Sequence, residues 1–409
     1  DNNNNGNLDA SEIQSFAFIC NGGGDLKYLI SVKPESAGRN CNTGGYSFNT
    51  GFDSNRNGIL DINEIAETTY ICNTSTEVPP LKNVVYIGTS AGLYALNATN
   101  GSEFWRYSTT KGFINSGPLV YNGKVYAGST DSYMYALDAR TGEVVWSFST
   151  NLSGIRSDPT IVNGILYFGS IDHNIYALDA NTGQQIWKFQ TSWTVDTKPV
   201  VLNGTVYFGS RDAHVYALNA TTGALIWKYK TGGEIGQSDP VVHNGVLFIG
   251  NKDSHVYAIN VSNGSLKWKH NTGISMEDSK PAVYNGNVYI GVWSNSMFGI
   301  DESTGIRSWT ANYGTNAKPS FSNNGIFFSA STDFYALNVA TKASLWSERI
   351  FPNNAGATIS EGVVFVGGSG SSGFYALQQN TGELKWKVAI SGLFSKPAVI
   401  DSQGNIVQD

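Results

Sequence analysis

Short apolar runs separated by turn-forming residues recur along most of the chain. One such run is Ile165-Leu166-Tyr167-Phe168-Gly169, and a second, Tyr176-Ala177-Leu178, follows after a polar break. Runs of this length that are rich in β-branched and aromatic residues and bounded by Gly or Asn predict strands rather than helices. Asn-Gly pairs such as Asn163-Gly164 predict tight hairpins, because their turn needs positive φ at both residues. The pattern therefore predicts an all-β chain.

A unit of about forty residues occurs eight times. Its most regular part follows the pattern Ala-[Leu/Ile]-[Asp/Asn]-x-x-[Thr/Asn]-Gly-x-x-x-Trp, and the copy from Ala136 to Trp146 matches this pattern best. Each unit predicts four strands: a Pro-led strand, a Tyr-Phe-Gly strand, a Tyr-Ala-Leu strand and a Trp strand. One four-stranded sheet cannot bury both of its faces alone, so the copies are expected to pack around an axis. We predict an eight-bladed β-propeller over residues 82–400, in which eight tryptophans fill the gaps between blades: Trp105, Trp146, Trp187, Trp227, Trp268, Trp309, Trp346 and Trp386.

Ring closure is predicted from a mismatch between the first and last copies. The first copy lacks a Pro-led strand, whereas the last Trp strand is followed by one, Lys396-Pro397-Ala398-Val399-Ile400. We expect this segment to complete the first blade. Residues 401–409 are then a tail or an extra strand without a partner in this scheme.

The repeat resembles the PQQ-like (quinoprotein-type) propeller family, over about 320 residues and in all eight copies. That resemblance implies the propeller fold and raises the possibility of a PQQ-dependent dehydrogenase. Such enzymes are usually longer, and they often carry an adjacent Cys-Cys pair over the quinone. All three cysteines here precede the propeller, and no Ser/His/Asp set or metal-spaced His cluster is evident. We therefore expect no catalytic residues.

The first eighty residues contain two copies of a twelve-residue calcium loop. Calcium needs six to eight oxygen ligands, which this loop supplies from positions 1, 3, 5, 7, 9 and 12, with Gly at position 6 for a sharp turn. Position 7 contributes only its carbonyl. The predicted ligands are Asp1, Asn3, Asn5, Asn7, Asp9 and Glu12 in the first copy, and Asp53, Asn55, Asn57, Ile59, Asp61 and Glu64 in the second. We expect a strand at residues 46–49 in place of an entering helix, and a short helix over residues 64–69.

The cysteines follow the same duplication. Cys20 and Cys72 occupy equivalent positions, and Cys41 precedes the second loop. We predict a Cys41–Cys72 disulfide, with unpaired structural thiols as the alternative. The copies resemble short extracellular repeats of unknown function. We assign residues 1–22 to a partial repeat, 23–73 to a complete repeat and 74–81 to a linker, so the chain is expected to be a processed or partial protein.

A ring of charge is predicted at one mouth of the propeller channel. The residues that precede the inner-strand prolines would converge there if these strands line the axis. They include Gly117, and Ala357 takes the place in the copy without proline; the charged members are Asp158, Lys198, Asp239, Lys280, Lys318 and Lys396. One interpretation is a self-satisfied ring of Asp–Lys pairs. The other is a mouth that binds an anion or an acidic peptide.

Composition and charge narrow the function classes. The net charge of −6 argues against nucleic-acid binding, which calls for a basic surface. No stretch approaches the ~18 apolar residues of a membrane span. The predicted disulfide and calcium both favour a location outside the cytosol.

Three functional hypotheses remain. The leading one is a non-enzymatic extracellular or cell-surface propeller that contacts protein partners; in one version of it the partners are copies of itself in a surface layer or filament. The second is a propeller that binds PQQ or another ligand and has oxidoreductase activity. The third is an envelope scaffold resembling the outer-membrane assembly propeller lipoprotein, although the calcium-loop repeats do not fit it.

Overall fold

The computed structural model describes residues 27–35, 45–57, 60–72, 81–109, 112–151, 153–276, 278–292, 296–313, 317–322, 325–370, 372–393 and 395–407. The chain divides into two compact units, Asp1–Pro80 and Leu81–Asp409. Within the described residues, the regular structure is β-strand apart from one 3-10 turn. The predicted all-β class is therefore confirmed.

The first unit contains a three-stranded antiparallel sheet. Its strands, in sheet order, are β1 (Lys27–Glu35), β2 (Gly45–Asp53) and β3 (Ile65–Cys72), and the 3-10 turn spans Ile62–Glu64. The strand predicted at residues 46–49 lies within β2.

The short helix predicted over residues 64–69 is wrong. After the single 3-10 turn the chain continues as β3, which pairs with β2 from Gly51↔Ile65 to Gly45↔Cys72. This segment is rich in residues that favour strands, namely Thr68, Thr69, Tyr70 and Ile71. The ladder with β2 satisfies more backbone groups than one helical turn would.

Eight antiparallel sheets, here named blades, form the described part of the second unit. Blade 1 consists of β4 (Val84–Thr89), β5 (Gly92–Asn97), β6 (Glu103–Tyr107), β35 (Ala398–Ile400) and β36 (Ile406–Val407). Blade 2 consists of β7 (Leu119–Tyr121), β8 (Lys124–Gly128), β9 (Tyr133–Asp138) and β10 (Val144–Ser149). Blade 3 consists of β11 (Thr160–Val162), β12 (Ile165–Gly169), β13 (Asn174–Asp179) and β14 (Gln185–Gln190). Blade 4 consists of β15 (Val200–Leu202), β16 (Thr205–Ser210), β17 (His214–Asn219) and β18 (Leu225–Lys230).

Blades 5 to 8 repeat this four-stranded order. Blade 5 consists of β19 (Val241–His243), β20 (Val246–Gly250), β21 (His255–Asn260) and β22 (Leu266–Asn271), and blade 6 of β23 (Ala282–Tyr284), β24 (Asn287–Val292), β25 (Ser296–Asp301) and β26 (Arg307–Ala311). Blade 7 consists of β27 (Ser320–Ser322), β28 (Gly325–Ala330), β29 (Asp333–Asn338) and β30 (Ser344–Glu348), and blade 8 of β31 (Pro352–Ser360), β32 (Val363–Gly368), β33 (Phe374–Gln378) and β34 (Leu384–Val388).

Buried apolar clusters join each blade to the next. One cluster combines Val84 and Trp105 of blade 1 with Val125 of blade 2, and six further clusters join the successive pairs up to blades 7 and 8. The last cluster packs Phe365 of blade 8 against Val85 of blade 1. The series of blades therefore closes into a ring, which is the architecture of a β-propeller.

The strand β35 closes the ring as the sequence predicts. It pairs antiparallel with β4, from Ala398↔Tyr86 to Ile400↔Val84, although the two segments lie at opposite ends of the propeller sequence. The extra strand β36 also has a partner, in contrast to the expectation. A turn at residues 401–405 folds the chain back, and β36 pairs with the free edge of β35, Val399↔Val407.

The eight predicted tryptophans lie on the fourth strands, at the seams between blades. Seven of them donate a hydrogen bond from Nε1 to a backbone carbonyl of the following blade. Trp187 bonds Ala220 at 2.9 Å, and Trp386 of blade 8 bonds Ala98 of blade 1 at 3.0 Å. The others in this arrangement are Trp105, Trp146, Trp227, Trp268 and Trp346.

A glycine lies under each of these seven tryptophans, in the Thr-Gly or Asn-Gly turn of the following blade. Gly183, for example, has φ of 73°, and a Cβ atom there would lie 2.7 Å from the Trp146 ring. Glycine is therefore needed for two reasons, since a side chain would be strained by the backbone and would also collide with the ring.

The seam between blades 6 and 7 differs from the other seven. Lys342 occupies the glycine position with φ of 62°. Its Nζ donates to the carbonyl of Val339 and to Tyr289 Oη, 2.9 Å away, and lies 5.3 Å from the centre of the Trp309 ring. The lysine thus bonds the carbonyl that the tryptophan bonds elsewhere, and it covers the ring as a cation–π contact.

Candidate functional site: the channel mouth and the outer rim

The residues before the inner-strand prolines lie together at one end of the ring axis. Gly117, Asp158, Lys198 and Lys396 line a shared cavity of about 30 Å³. A larger cavity of about 310 Å³ is lined by all six predicted charged residues: Asp158, Lys198, Asp239, Lys280, Lys318 and Lys396. These side chains come from six different blades, so the structure brings the predicted ring together at one mouth of an axial channel.

Lys280 forms the electrostatic centre of this mouth. Its Nζ lies 2.8 Å from Asp239 Oδ2 and 3.9 Å from Asp158 Oδ2. Burial alone would lower the pKa of Lys280, but the carboxylates of Asp239 and Asp158, with a smaller contribution from Asp278, outweigh burial and hold the pKa above its ordinary value. Lys280 therefore remains an ammonium ion at physiological pH, and it neutralises part of the charge of both aspartates.

The two aspartates also tie neighbouring blades together. Asp239 Oδ1 accepts a hydrogen bond from the backbone N–H of Lys198 at 2.7 Å, and Asp158 Oδ1 accepts one from the N–H of Gly117. Each carboxylate thus accepts from the blade before its own while it faces Lys280. This part of the mouth agrees with the interpretation of Asp–Lys pairs.

Three further lysines extend the mouth on its other side. Lys318 and Lys396 also line a second cavity of about 310 Å³, which runs down the channel from the mouth. Among the described residues, no carboxylate forms an ion pair with Lys318. With four lysines against two aspartates, 4 − 2 gives the ring a net charge of +2.

The sequence alignment of the ring is wrong in blade 8. Thr358 pairs with Phe365 in the way that Thr160 pairs with Tyr167, so Ala357 occupies the proline position. The ring position belongs to Gly356, one residue earlier, where φ is 87°. The error arose because this copy has no proline to mark the register.

The channel wall below the lysines is mixed, with Ser320 and Thr358 beside several apolar side chains. Val241, Val283, Ile359 and the stacked pair Tyr284–Phe321, whose ring centres are 4.7 Å apart, line the second cavity. Val407 of β36 lines it as well. A segment of chain in extended conformation therefore already occupies one side of the channel.

Sequence reasoning missed an apolar arc on the outer rim. The residue before each tryptophan is the extra residue of a β-bulge in the fourth strand, as at Val145, where Val144↔Leu137 and Trp146↔Ala136 flank it. In blades 1 to 4 this residue is apolar and about half exposed: Phe104, Val145, Ile186 and Ile226. In blades 5, 6 and 8 it is Lys267, Ser308 and Lys385, while blade 7 has the exposed Leu345. Comparing this one position across the repeats would have found the arc.

The second calcium loop is described except for Gly58 and Ile59. Asp61 Oδ2 accepts hydrogen bonds from Asn55 Nδ2 at 2.7 Å and from Asn57 Nδ2 at 3.0 Å, and the N–H of Asn57 donates to Asp53 Oδ1 at 3.0 Å. Four predicted ligand side chains therefore converge within the loop. Each asparagine amide could present its oxygen instead of its nitrogen by rotating half a turn. These oxygen-bearing side chains fit a hard cation.

Glu64 is held at the start of the same loop. Its Oε1 accepts from the N–H of Ser54 and of Asn55 at 2.9 and 3.0 Å and from Ser54 Oγ at 2.7 Å. The hydroxyl of Ser54 first, and then the backbone N–H groups, lower the pKa of Glu64. Across the described ranges, no group of three or more His, Cys, Asp or Glu side chains lies close enough to hold a metal ion.

The first calcium loop (Asp1, Asn3, Asn5, Asn7, Asp9 and Glu12), Ile59 and Cys41 lie outside the described residues. The backbone of Cys72 is described, and it pairs with Gly45 in the β2–β3 ladder. The predicted Cys41–Cys72 disulfide stays a prediction.

A closed ring of four-stranded blades with tryptophan seams defines a β-propeller of the PQQ-like repeat type. The chain belongs to the family described as outer membrane protein assembly factor BamB, whose model matches residues 67–169 and 151–348. The predicted PQQ-like propeller is thereby confirmed, and the family is that of the third hypothesis. Residues 28–72 match a model described as a domain of unknown function (DUF7151).

Solved structures share the propeller fold at low sequence identity. BamB from Moraxella catarrhalis is similar with a TM-score of 0.59 and 19% identity, over 70% of this chain and 89% of that chain. The computationally designed Ika8 protein is similar with a TM-score of 0.58 and 14% identity, over 73% and 96%. At these identities the likeness shows the fold alone. No curated protein matches the chain.

In the part of the chain that the structure describes, no helix is long and apolar enough to cross a membrane.

Proposed function

We propose that this protein is an interaction propeller of the cell surface, which binds protein partners through the apolar arc of its outer rim. The observation that carries the proposal is the run of exposed apolar residues on four consecutive blades, Phe104, Val145, Ile186 and Ile226. Contiguous exposed apolar surface marks protein-contact sites, and the exposed Val144 and Leu225 enlarge the apolar surface of the outer strands of blades 2 and 4. The name of the matching family, an assembly factor, supports an interaction role in place of catalysis.

We propose a second copy of the chain as the partner. The arc occupies one side of the ring, while Lys267, Ser308 and Lys385 interrupt the same position elsewhere. Two copies that meet through the same arc would cover both apolar surfaces in one self-complementary contact. The bulges on these edge strands oppose continuous strand pairing, so the contact is expected to be made by side chains.

Sedimentation velocity of the full chain over a range of concentrations tests this proposal. We expect reversible association of the wild type and a monomeric V145K/I226K variant, because a charge in the contact would have to be desolvated. Leu345→Lys on blade 7 is the matched control and should associate like the wild type. A wild type that stays monomeric at high concentration, or a rim variant that associates normally, would contradict the proposal.

Calcium binding by the second loop is a separate part of the proposal. The convergence of Asp53, Asn55, Asn57 and Asp61 supports it, and affinities of about 10⁻⁴ to 10⁻³ M are typical of extracellular calcium modules. Such a site would be filled outside cells, which agrees with the proposed surface location. Among single substitutions, Asp61→Asn should weaken calcium binding most, because it removes the carboxylate that lies against both asparagines.

Isothermal titration of the full chain with Ca²⁺ tests the site. We expect heat of binding and a rise in the melting temperature of the first unit in millimolar Ca²⁺, and neither effect in D53N/D61N. Asp401→Asn in the propeller serves as the control for loss of an exposed carboxylate. Absence of heat and of a thermal shift in the wild type at 5 to 10 mM Ca²⁺, roughly ten times the weakest expected dissociation constant, would exclude the site.

A further inference from the structure

We propose that the channel mouth binds an extended acidic peptide, whose carboxylates lie against Lys198, Lys318 and Lys396 and whose backbone enters the channel. This inference is independent of the rim, because it concerns the axis of the ring and a different set of residues. It assigns a ligand class to a channel for which the family match provides none.

The distribution of charge at the mouth selects an anion. Lys280 lies between Asp239 and Asp158, and the carboxylate of Asp278 also acts on it, so these four groups have a net charge of 1 − 3, or −2. Lys198, Lys318 and Lys396 add +3, so these charged groups together total −2 + 3, or +1, in a chain whose overall charge is −6. Clustered charges of one sign at the opening of a low-dielectric channel concentrate the opposite charge there.

The channel also provides an edge for an extended backbone. Each inner strand has one edge that faces the axis, and β35 shows that such an edge accepts a strand, since β36 pairs with it within the channel. A peptide that adds to an exposed strand edge gains main-chain hydrogen bonds as well as side-chain contacts. The edges of the other inner strands offer the same groups.

Size and lining favour a peptide over a small anion. The two cavities measure about 310 Å³ each, at the lower end of the range for ligand sites. Their walls combine lysines at the mouth with Val241, Phe321 and Ile359 below. A small polycarboxylate would use only the lysines, whereas a peptide would also cover the apolar side chains of the wall and meet its polar groups.

Fluorescence anisotropy with a labelled hexaglutamate peptide tests the inference on the full chain. We expect saturable binding that weakens as salt rises, because screening reduces attraction between exposed charges. Lys318→Gln should weaken binding about tenfold and K198Q/K318Q by more, as expected for charge-assisted hydrogen bonds. The outer-strand variant K267Q/K385Q removes two exposed lysines elsewhere and should bind like the wild type.

Three results would overturn the inference. The first is equal binding of a labelled hexaglutamine peptide, which would remove the role of charge. The second is normal binding by K198Q/K318Q with an unchanged unfolding midpoint, which would remove the role of the mouth. The third is binding of citrate without binding of hexaglutamate, which would identify a small-anion site. The rim variant V145K/I226K should bind hexaglutamate normally, so failure of the proposed association would leave this test intact.

Discussion

Seven seams of the ring are built in one way, and the seam between blades 6 and 7 is built in another. In the seven, an indole rests on a glycine and bonds the carbonyl of the next blade. In the eighth, Lys342 replaces the glycine, bonds that carbonyl itself and lies over the Trp309 ring. The comparison teaches that this carbonyl is bonded at every seam, whereas the donor varies: it is the indole in seven seams and the ammonium of Lys342 in the eighth, and tyrosine hydroxyls add a second donor at the first three seams.

The largest expected effect is the loss of a regular seam. Trp187→Ala removes a buried ring and one of the two donors to the carbonyl of Ala220, the other being Tyr167 Oη, so we expect about 3 to 5 kcal/mol of destabilisation. Trp309→Ala should cost less, because this ring is only partly buried and the carbonyl of Val339 is bonded by Lys342. Urea unfolding of both variants measures the difference. Equal losses would show that the two seams depend on their tryptophans alike.

Substitution of the residue that lies under the indole should have an intermediate effect on the free energy of unfolding. Gly183→Ala places a Cβ against Trp146 and strains a backbone with φ of 73°, and we expect a loss of about 2 to 4 kcal/mol. The converse variant, Lys342→Gly, relieves a positive φ but removes the ammonium, so the free energy of unfolding should change by no more than about 1 kcal/mol. Urea titration measures both. A small loss of stability in Gly183→Ala would indicate that a regular seam can also accommodate a side chain at the glycine position, as the seam with Lys342 does.

The smallest expected effect is a difference in acid stability between the Asp301 turn of blade 6, at a regular seam, and the Asn338 turn of blade 7, at the exceptional seam. The hydroxyl of Ser303 and the N–H of Thr304 lower the pKa of Asp301 to about 2. Because this folded-state pKa lies below the ordinary value, the ionised carboxylate stabilises the fold above pH 3.8, and that contribution is lost as pH falls through about 2. In the equivalent turn of blade 7, Asn338 Oδ1 accepts the N–H groups of Ala340 and Thr341 and does not titrate in this range.

Urea midpoints between pH 5 and pH 2 measure this contrast. Asp301→Asn should flatten the profile slightly at its acid end, whereas Asn338→Asp should make it steeper. Superimposable profiles for the wild type and both variants would show that these exposed turns contribute nothing to acid stability.

Much of the propeller was predictable because the repeat determines it locally. Asn163-Gly164 predicts its hairpin by its own backbone preference, and the recurrence of Trp predicts a seam in each copy. The pairing of Ala398–Ile400 with β4 followed from counting strands, since one copy lacked a strand and another had one left over. These inferences needed no knowledge of distant contacts.

Other features depended on three-dimensional context that local patterns do not contain. The register of blade 8 placed Gly356 in the ring, and only the pairing of Thr358 with Phe365 shows it. Residues 64–69 formed a strand because β2 was available as a partner. The sharing of Lys280 between Asp239 and Asp158 depends on side chains that reach across the axis, which the sequence could not specify.

Closure of the ring by β35 has a consequence for biosynthesis. Gly88 donates its N–H to Ser395 Oγ, and these residues are 307 positions apart along the chain. A ribosome that adds about 5 to 20 residues per second needs about 15 to 60 seconds to cover that separation. During this interval β4 has an open edge, which can pair with a strand of another nascent chain. The first blade to emerge is therefore the last to be completed, and it is the part of the propeller for which protection by a chaperone would matter most.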